Sequence, residues 1–386
     1  MSDTDKNLDT KLIHNRSGGR IHPTVNPPVE RGSTLLMADT DALYGKGRTY
    51  GRMGLSVHYE LTSALCDLEG AQSARLASSG VSACALAIAA VVKAGDHVIV
   101  ADNIYGPTRR FCERRLPKMG VEQIRVSPRI TATELERIIK DNTAALVFET
   151  PGSLTFELPN TRAIVDVCKA HGVTTIMDNT WGCGYFHRPL DLGVDISVQA
   201  LTKYPVGHSD AFGGAVFTND KTLEAAIGAT SEDWGISIGP DDAYLILRGL
   251  RTLGSRLRAH ETKALEIASW LEKQDRVSQV LHPALPSHPD HYIWKRDFTG
   301  SAGLFSFYLD VASNADADRF LDKLELFGQG FSWGGYESLV IACDPQLNRK
   351  ASPWATDSKS ALLRMNVGLE DTDDLIRDLK VAFDHL

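Results

Sequence analysis

Val194-Asp195-Ile196-Ser197-Val198-Gln199-Ala200-Leu201-Thr202-Lys203-Tyr204 runs from an apolar segment into small and hydroxylic residues and then presents one lysine. The reading is a buried strand over 194–198 with Lys203 beyond its C-terminal end. Burial there disfavours the ammonium form and lowers its pKa, leaving an amine able to form a Schiff base. A surface lysine that closes a strand fits the same stretch. Upstream, Val173-Thr174-Thr175-Ile176-Met177 has the same character and ends at Asp178-Asn179-Thr180-Trp181. A carboxylate and a lysine thus follow two strands, and ligands of open α/β sheets bind at such C-terminal ends. An amine for an imine and an acid for a pyridinium nitrogen are the two groups that pyridoxal phosphate asks of a protein.

Outward from these strands the chain alternates. Strands are expected at 74–77, 97–101, 121–126, 144–149, 173–177, 196–200 and 214–218, with helices at 58–68, 83–93, 107–116, 133–140 and 161–170. Strand and helix in turn predict an α/β fold with a mostly parallel sheet and helices on both faces. Between the first strand and its helix lies Ser78-Ser79-Gly80-Val81-Ser82, a small-residue turn whose free amides suit an anion. A tight turn with an N-cap serine accounts for it equally well. Tyr105 follows the strand that ends near Asp102, where its ring either stacks on a flat cofactor or is an ordinary turn tyrosine. One long helix is expected over 241–273, followed by a second unit with strands at 304–309, 337–342 and 362–367 and helices at 315–326 and 372–385.

A chain of 386 residues suits two domains. Its formal net charge of −8 argues against a nucleic-acid partner, which requires a basic face. Arg248, Arg251, Arg256 and Arg258 do cluster, but among acidic residues of a helical pattern, which reads as a solvated or interface-facing helix. No run approaches the roughly 20 apolar residues of a membrane helix, and the polar start Met1-Ser2-Asp3-Thr4-Asp5 is no secretory signal. Six cysteines without a C-x-x-C pair point to a reducing cytoplasm. His282, His288 and His291 stand in a proline-rich loop that fixes no metal geometry. Residues 1–55 lack regular periodicity and are expected to lie across a neighbouring subunit. Within them, the glycine-rich run from Tyr44 to Arg52 neither follows a strand nor opens a helix, although Tyr50 and Arg52 can hold a phosphate by side chain.

Taken together, these motifs resemble the cysteine and methionine metabolism branch of pyridoxal phosphate enzymes, fold type I, over nearly the whole chain. The resemblance implies a large domain with a seven-stranded-type, mostly parallel sheet, a smaller α/β C-terminal domain and an extended N-terminal arm. The corresponding segments are 1–55 for the arm, 56–249 for the cofactor-binding domain and 250–386 for the small domain. Lys203 matches the Schiff-base lysine, Asp178 the partner of the pyridine nitrogen and Tyr105 the ring-stacking tyrosine. Ser79, Gly80 and Val81 match the phosphate-binding turn, with Thr202 adding a hydroxyl. Tyr50 and Arg52 match a pair sent to the phosphate of an adjacent subunit, which implies a homotetramer, a dimer of dimers, with shared sites. Arg364 matches the arginine that takes the substrate α-carboxylate, with Ser332, Trp333 and Tyr50 also on the substrate side.

Three departures bear on the activity. Ala200 stands where many relatives carry a serine, Pro151-Gly152-Ser153-Leu154 where γ-specific members read Pro-x-Asn-Pro, and Trp333 where those relatives have a smaller apolar residue. They imply β-elimination of L-cystathionine to homocysteine, pyruvate and ammonia within methionine biosynthesis, with cysteine or cystine as further substrates. A γ-lyase or γ-synthase of the same family is the alternative, and a non-catalytic regulatory binder of pyridoxal phosphate the alternative from another class.

Overall fold

The protein is described here by a computed structural model covering residues 6–15, 24–45, 47–352 and 360–386. Residues 1–5, the arm's 16–23 and Lys46 of the glycine-rich run lie outside the described residues.

Two short helices, α1 (Leu8–His14) and α2 (Thr40–Tyr44), precede α3 (Ser56–Glu69). The alternation then begins with β1 (Ser73–Ala77), α4 (Gly80–Ala89), β2 (His97–Ala101), α5 (Gly106–Arg114), β3 (Glu122–Val126) and α6 (Ala132–Ile138). It continues through β4 (Thr143–Glu149), α7 (Thr161–Ala170), β5 (Thr174–Asp178), β6 (Ile196–Gln199), β7 (Gly214–Thr218) and α8 (Lys221–Asp233). These strands form one 7-stranded sheet in the order β1-β7-β6-β5-β4-β2-β3. The strands from β3 through β6 pair in parallel, and β7 runs antiparallel to both of its neighbours. This is the mostly parallel α/β sheet that the alternation predicts. Its central strands are largely buried because helices cover both faces; β2, His-Val-Ile-Val-Ala, is buried at every residue.

The register decides what the sheet presents. Glu149 at the end of β4 stands opposite Asp178 at the end of β5, and Asp178 stands opposite Val198 of β6. Parallel strands that stop together therefore deliver their next residues to one edge, and the site forms there.

The chain continues through α9 (Pro240–Leu250), α10 (Leu253–Leu271), β8 (Val277–Leu281), α11 (His291–Asp297), β9 (Leu304–Asp310) and α12 (Asn314–Lys323). It closes with β10 (Gly328–Gln329), β11 (Leu339–Ala342), β12 (Ser360–Asn366) and α13 (Thr372–Phe383). These strands make a 5-stranded sheet, β10-β11-β12-β9-β8, with its own core around Phe305, Phe307, Phe320, Leu363 and Leu379.

Two expectations need correction. The single helix over 241–273 is two helices, because Thr252 leaves the helical region with φ −115° and ψ 8°. Arg251, Arg256 and Arg258 of that segment, read from sequence with Arg248 as a solvated or interface-facing face, are clamps within the chain, while Arg248 is exposed as that reading expects. Arg256 is 8% exposed and donates to the carbonyls of Tyr204 at 2.9 Å and Gly249 at 2.8 Å. Taking the carbonyl of Gly249 at the end of α9 ties the break to the loop that carries Lys203. Arg251 donates to the carbonyls of Leu12 and Ile13 in the last turn of α1 and of Asn15 just after it, and Arg258 pairs with Asp9 of α1 at 2.7 Å. So α1, with Leu12 buried in the main core, docks on its own chain. The later part of the arm is different: Val25, Leu36, Tyr44 and Tyr50 are exposed.

Candidate active site

Lys203 follows β6 in a tight loop. Leu201 N–H donates to Gly213 O at 2.9 Å and Gly207 N–H to Lys203 O at 2.9 Å, which fixes the backbone on both sides of the lysine. Its Nζ donates to Ser332 Oγ at 2.9 Å and lies 5.4 Å from the centroid of the Trp333 ring. Burial, followed by the charge of Arg364, pushes the ammonium pKa down to about 8, and Asp178 opposes the shift. The loop bearing Ser332 and Trp333 approaches closely only because Gly334 has φ +82°; a Cβ there would sit 2.9 Å from Tyr204 N.

Asp178 is held by its own turn. Thr180 N–H donates to Oδ1 at 3.0 Å and the Thr180 hydroxyl to the same oxygen, while Ala200 N–H donates to Thr180 Oγ1 at 3.0 Å. Thr180 thereby ties the acid to the residue just before the lysine loop. Oδ2 faces the Cys84 thiol at 3.7 Å. Burial raises the Asp178 pKa above the usual carboxylate range, against the bonds from Thr180 and the charge of Lys203.

Ser79 caps α4, its Oγ accepting from Ser82 N–H at 3.2 Å. The amides of Gly80 and Val81 open the helix with no carbonyl one turn behind them. Gly80 is fixed by space, since a Cβ would lie 2.5 Å from the Cβ of Ala200. Both N-cap and anion site were open from sequence, and the turn is built as the cap while leaving those amides free. Across the cavity, Thr202 Oγ1 exchanges hydrogen bonds with Gly213, accepting from its N–H at 3.2 Å and donating to its carbonyl at 3.3 Å.

These residues line a cavity of about 360 Å³ that holds Ser79, Gly80, Val81, Tyr105, Asp178, Thr202, Lys203, Ser332 and Trp333. A second cavity of about 540 Å³ shares Tyr105, Ser153, Lys203, Phe331 and Trp333 with it and extends to Arg364 and the 345–349 loop. Arg364 on β12 is 6% exposed and donates to Phe331 O at 2.7 Å and Ser153 O at 3.4 Å. Burial lowers its pKa, so its charge lacks full compensation.

Pyridoxal phosphate fits this donor set. Amides of a helix N-terminus suit the phosphate, Tyr105 lines the same cavity with a ring that could stack on the cofactor, and Lys203 offers the amine. Asp178 is a buried carboxylate with a thiol as the sole partner on one oxygen among the described residues, and a cationic ring nitrogen there would restore its charged form. Tyr50 and Arg52 are not brought to this cavity. Tyr50 bridges Thr34 in the exposed arm, and Arg52 lines a separate hollow with Arg75 and Tyr59.

Several residues here were missed in the sequence. Glu149 accepts Tyr105 N–H at 2.5 Å, and burial, then the charge of Asp178, holds its pKa well above the usual range. It ends β4 as Asp178 ends β5, so the strand-end rule applied to every strand would have found it. Glu69 lies at the end of α3 in full burial, pushed by it to about 7, and accepts from Ser197, Gln199 and Asn179 beneath both strand ends. Nothing local in the sequence marks it. The histidines of the proline-rich loop serve that loop: His282 Nδ1 accepts from Ala284 N–H at 3.2 Å and His288 Nδ1 from Asp290 N–H at 3.1 Å.

Fold and site together define a fold type I enzyme dependent on pyridoxal phosphate. The sequence model described as Cys/Met metabolism PLP-dependent enzyme matches residues 9–384, and this chain belongs to that family. It is 39% identical to cystathionine beta-lyase MetC of Escherichia coli (strain K12), covering 98% of each chain. It is 38% identical to an L-alanine/L-glutamate racemase of Wolbachia pipientis wMel, over 94% of this chain and 93% of the racemase. Its structure matches the crystal structure of metB from Corynebacterium glutamicum with a TM-score of 0.93 at 29% identity, covering 100% and 99% of the two chains.

Proposed function

We propose that this enzyme is a carbon–sulfur lyase that cleaves the Cβ–S bond of L-cystathionine and releases homocysteine, pyruvate and ammonia. The observation that carries the reading is the Lys203 amine, brought to about 8 between Arg364 and Asp178 and hydrogen-bonded to Ser332. An amine of that pKa is substantially neutral near pH 8 and serves as a general base. Similarity over full length to a cystathionine β-lyase supports the same substrate.

Arg364 receives the α-carboxylate through its forked donors, which fixes the amino acid with its Cα–H toward Lys203. Lys203 then takes the Cα proton, and Ser332 holds Nζ at the mouth of the cavity between proton transfers. Pyridoxal phosphate, when bound, supplies the sink for the electron pair left at Cα. The Cβ–S bond breaks with its pair leaving on sulfur, which takes a proton to become the thiol of homocysteine. The three-carbon remainder takes up water and ends as pyruvate and ammonia. Tyr105 would stack on the cofactor ring, and Asp178 would supply the negative charge for its nitrogen.

We place 56–249 in the cofactor-binding domain and 250–386 in the small domain, with Tyr50 and Arg52 serving the phosphate end of a neighbouring subunit in a cytoplasmic homotetramer. Their exposure and distance from the Lys203 cavity support that use. Among the described residues, no helix is long and apolar enough to cross a membrane.

Product analysis on L-cystathionine tests the reading. Pyruvate with homocysteine is expected. Release of 2-oxobutyrate with cysteine would make the enzyme a γ-lyase, and conversion of L-alanine to its D-form without pyruvate release would make it a racemase.

A further inference from the structure

Glu149 is a carboxyl group of the cofactor cavity to which the mechanism gives no part. It ends β4 directly opposite Asp178 on β5, and paired residues of neighbouring strands face the same side of a sheet. Both acids are half-buried and line the cavity of about 360 Å³. Two like charges so placed destabilise each other, and the more so away from water. Their partners differ. Asp178 Oδ1 accepts the N–H of Thr180 at 3.0 Å and its hydroxyl, and Oδ2 faces the Cys84 thiol at 3.7 Å. Among the described residues Glu149 accepts one hydrogen bond, from Tyr105 N–H to Oε2 at 2.5 Å. Donors stabilise a carboxylate, so the charge belongs on Asp178 and the proton on Glu149. Burial and the Asp178 charge act on Glu149 in that direction, against the bond from Tyr105 and the charges of Arg364 and Arg349. Tyr105 itself stands at the N-cap of α5 without a side-chain cap bond, and the Glu149 carboxyl ties its backbone to the sheet edge.

We propose that Glu149 is a positioning residue of the cofactor site: a neutral carboxyl group that fixes Tyr105 through Oε2, keeps a proton at Oε1 and leaves Asp178 the one anion of the strand-end pair. A second anion there would raise the cost of charging Asp178, the group that answers the ring nitrogen. The inference rests on Tyr105 as the ring wall of the pyridoxal phosphate cavity, and it is independent of which substrate bond breaks.

Two variants separate its parts. Glu149→Gln is neutral at every pH and keeps an oxygen for Tyr105 N–H; Glu149→Met keeps the length and has no such acceptor. Titration of the cofactor-free enzymes with pyridoxal phosphate, followed by quenching of tryptophan fluorescence, is expected to show binding about 10-fold weaker in Glu149→Met and restored to the parent level in Glu149→Gln. Parent-like binding in Glu149→Met, or an equal loss in both variants, would overturn the proposal. The proton is read by infrared spectroscopy of the cofactor-loaded proteins near neutral pH. The parent should carry a neutral-carboxyl band that Glu149→Gln lacks, while buried acids common to both, such as Glu69, cancel in the difference. Identical spectra in that region would show Glu149 to be charged and end the proposal. If Tyr105→Leu holds the cofactor as tightly as the parent, the ring-wall reading fails and the positioning role with it. None of these measurements uses L-cystathionine, so a failure of the lyase reading appears in the product analysis and not here.

Discussion

The two walls of the Lys203 cavity are made in different ways. One wall is a continuous sheet edge: Glu149, Asp178 and the Lys203 loop follow neighbouring strands in register, with the first turn of α4 against Ala200. The other wall comes from the second sheet and its loops, which bring Arg364, Ser332, Trp333 and residues 345–349. It is held to the first by polar contacts between chain-distant groups. Asp102, wholly buried at the end of β2, accepts the N–H groups of Lys350, Ala351 and Ser352 at 2.7, 2.9 and 3.2 Å while pairing with Arg125. Arg125 in turn donates to Asn348 O at 2.8 Å, and Arg349 reaches Glu157 and Thr155. The comparison teaches a division of labour: acid, base and phosphate amides stand on the ladder-bonded wall, and the groups that read the substrate ride on the clamped one.

The largest expected effect breaks the first wall. Lys203→Ala removes the general base and should lower pyruvate release from L-cystathionine by about 10³-fold or more. Turnover near the parent rate would show that the proton is moved by another group. The clamp is probed by Asp102→Ala, which leaves the Arg125 cation buried and three N–H groups without their acceptor. A loss of about 3–5 kcal/mol in urea unfolding is expected, together with a raised KM for L-cystathionine. Cofactor content after dialysis sharpens the contrast, because a loss of pyridoxal phosphate as large as that in Lys203→Ala would mean that the walls are not separable. The smallest effect is in pH. Lys203 acts as a base only when neutral, so lowering its pKa to about 8 places the rising limb there. Below that value kcat/KM should gain roughly tenfold per pH unit as pH rises and then level off; a limb centred near the ordinary lysine value would show that Arg364 and burial do not act on the amine as described.

Much of the first wall was legible because local pattern carries it. An apolar run followed by a polar residue announces a strand end, and the alternation announces that such ends are parallel and adjacent. Lys203, Asp178 and the Ser79–Val81 turn were found in that way, and Glu149 follows from the same rule. The arginines were not legible. Arg256, Arg251 and Arg258 follow a helical pattern with acids nearby, which reads as solvated surface. Arg256 is instead buried, lowered to about 10 by that burial, and spends its donors on carbonyls at a helix break and beside Lys203.

The sequence by itself determined the sheet, its parallel strand ends and the pair of groups that the cofactor asks for, since period and strand length are properties of neighbouring residues. Tertiary structure alone decided which charges are spent and which are left to meet a ligand. Whether a guanidinium is spent as a clamp depends on acceptors far along the chain, as Asn348 is from Arg125 and Tyr204 is from Arg256. Burial sets the protonation of Lys203, Asp178 and Glu149 for the same reason: the dielectric around a side chain belongs to the folded chain and not to the residues beside it in sequence.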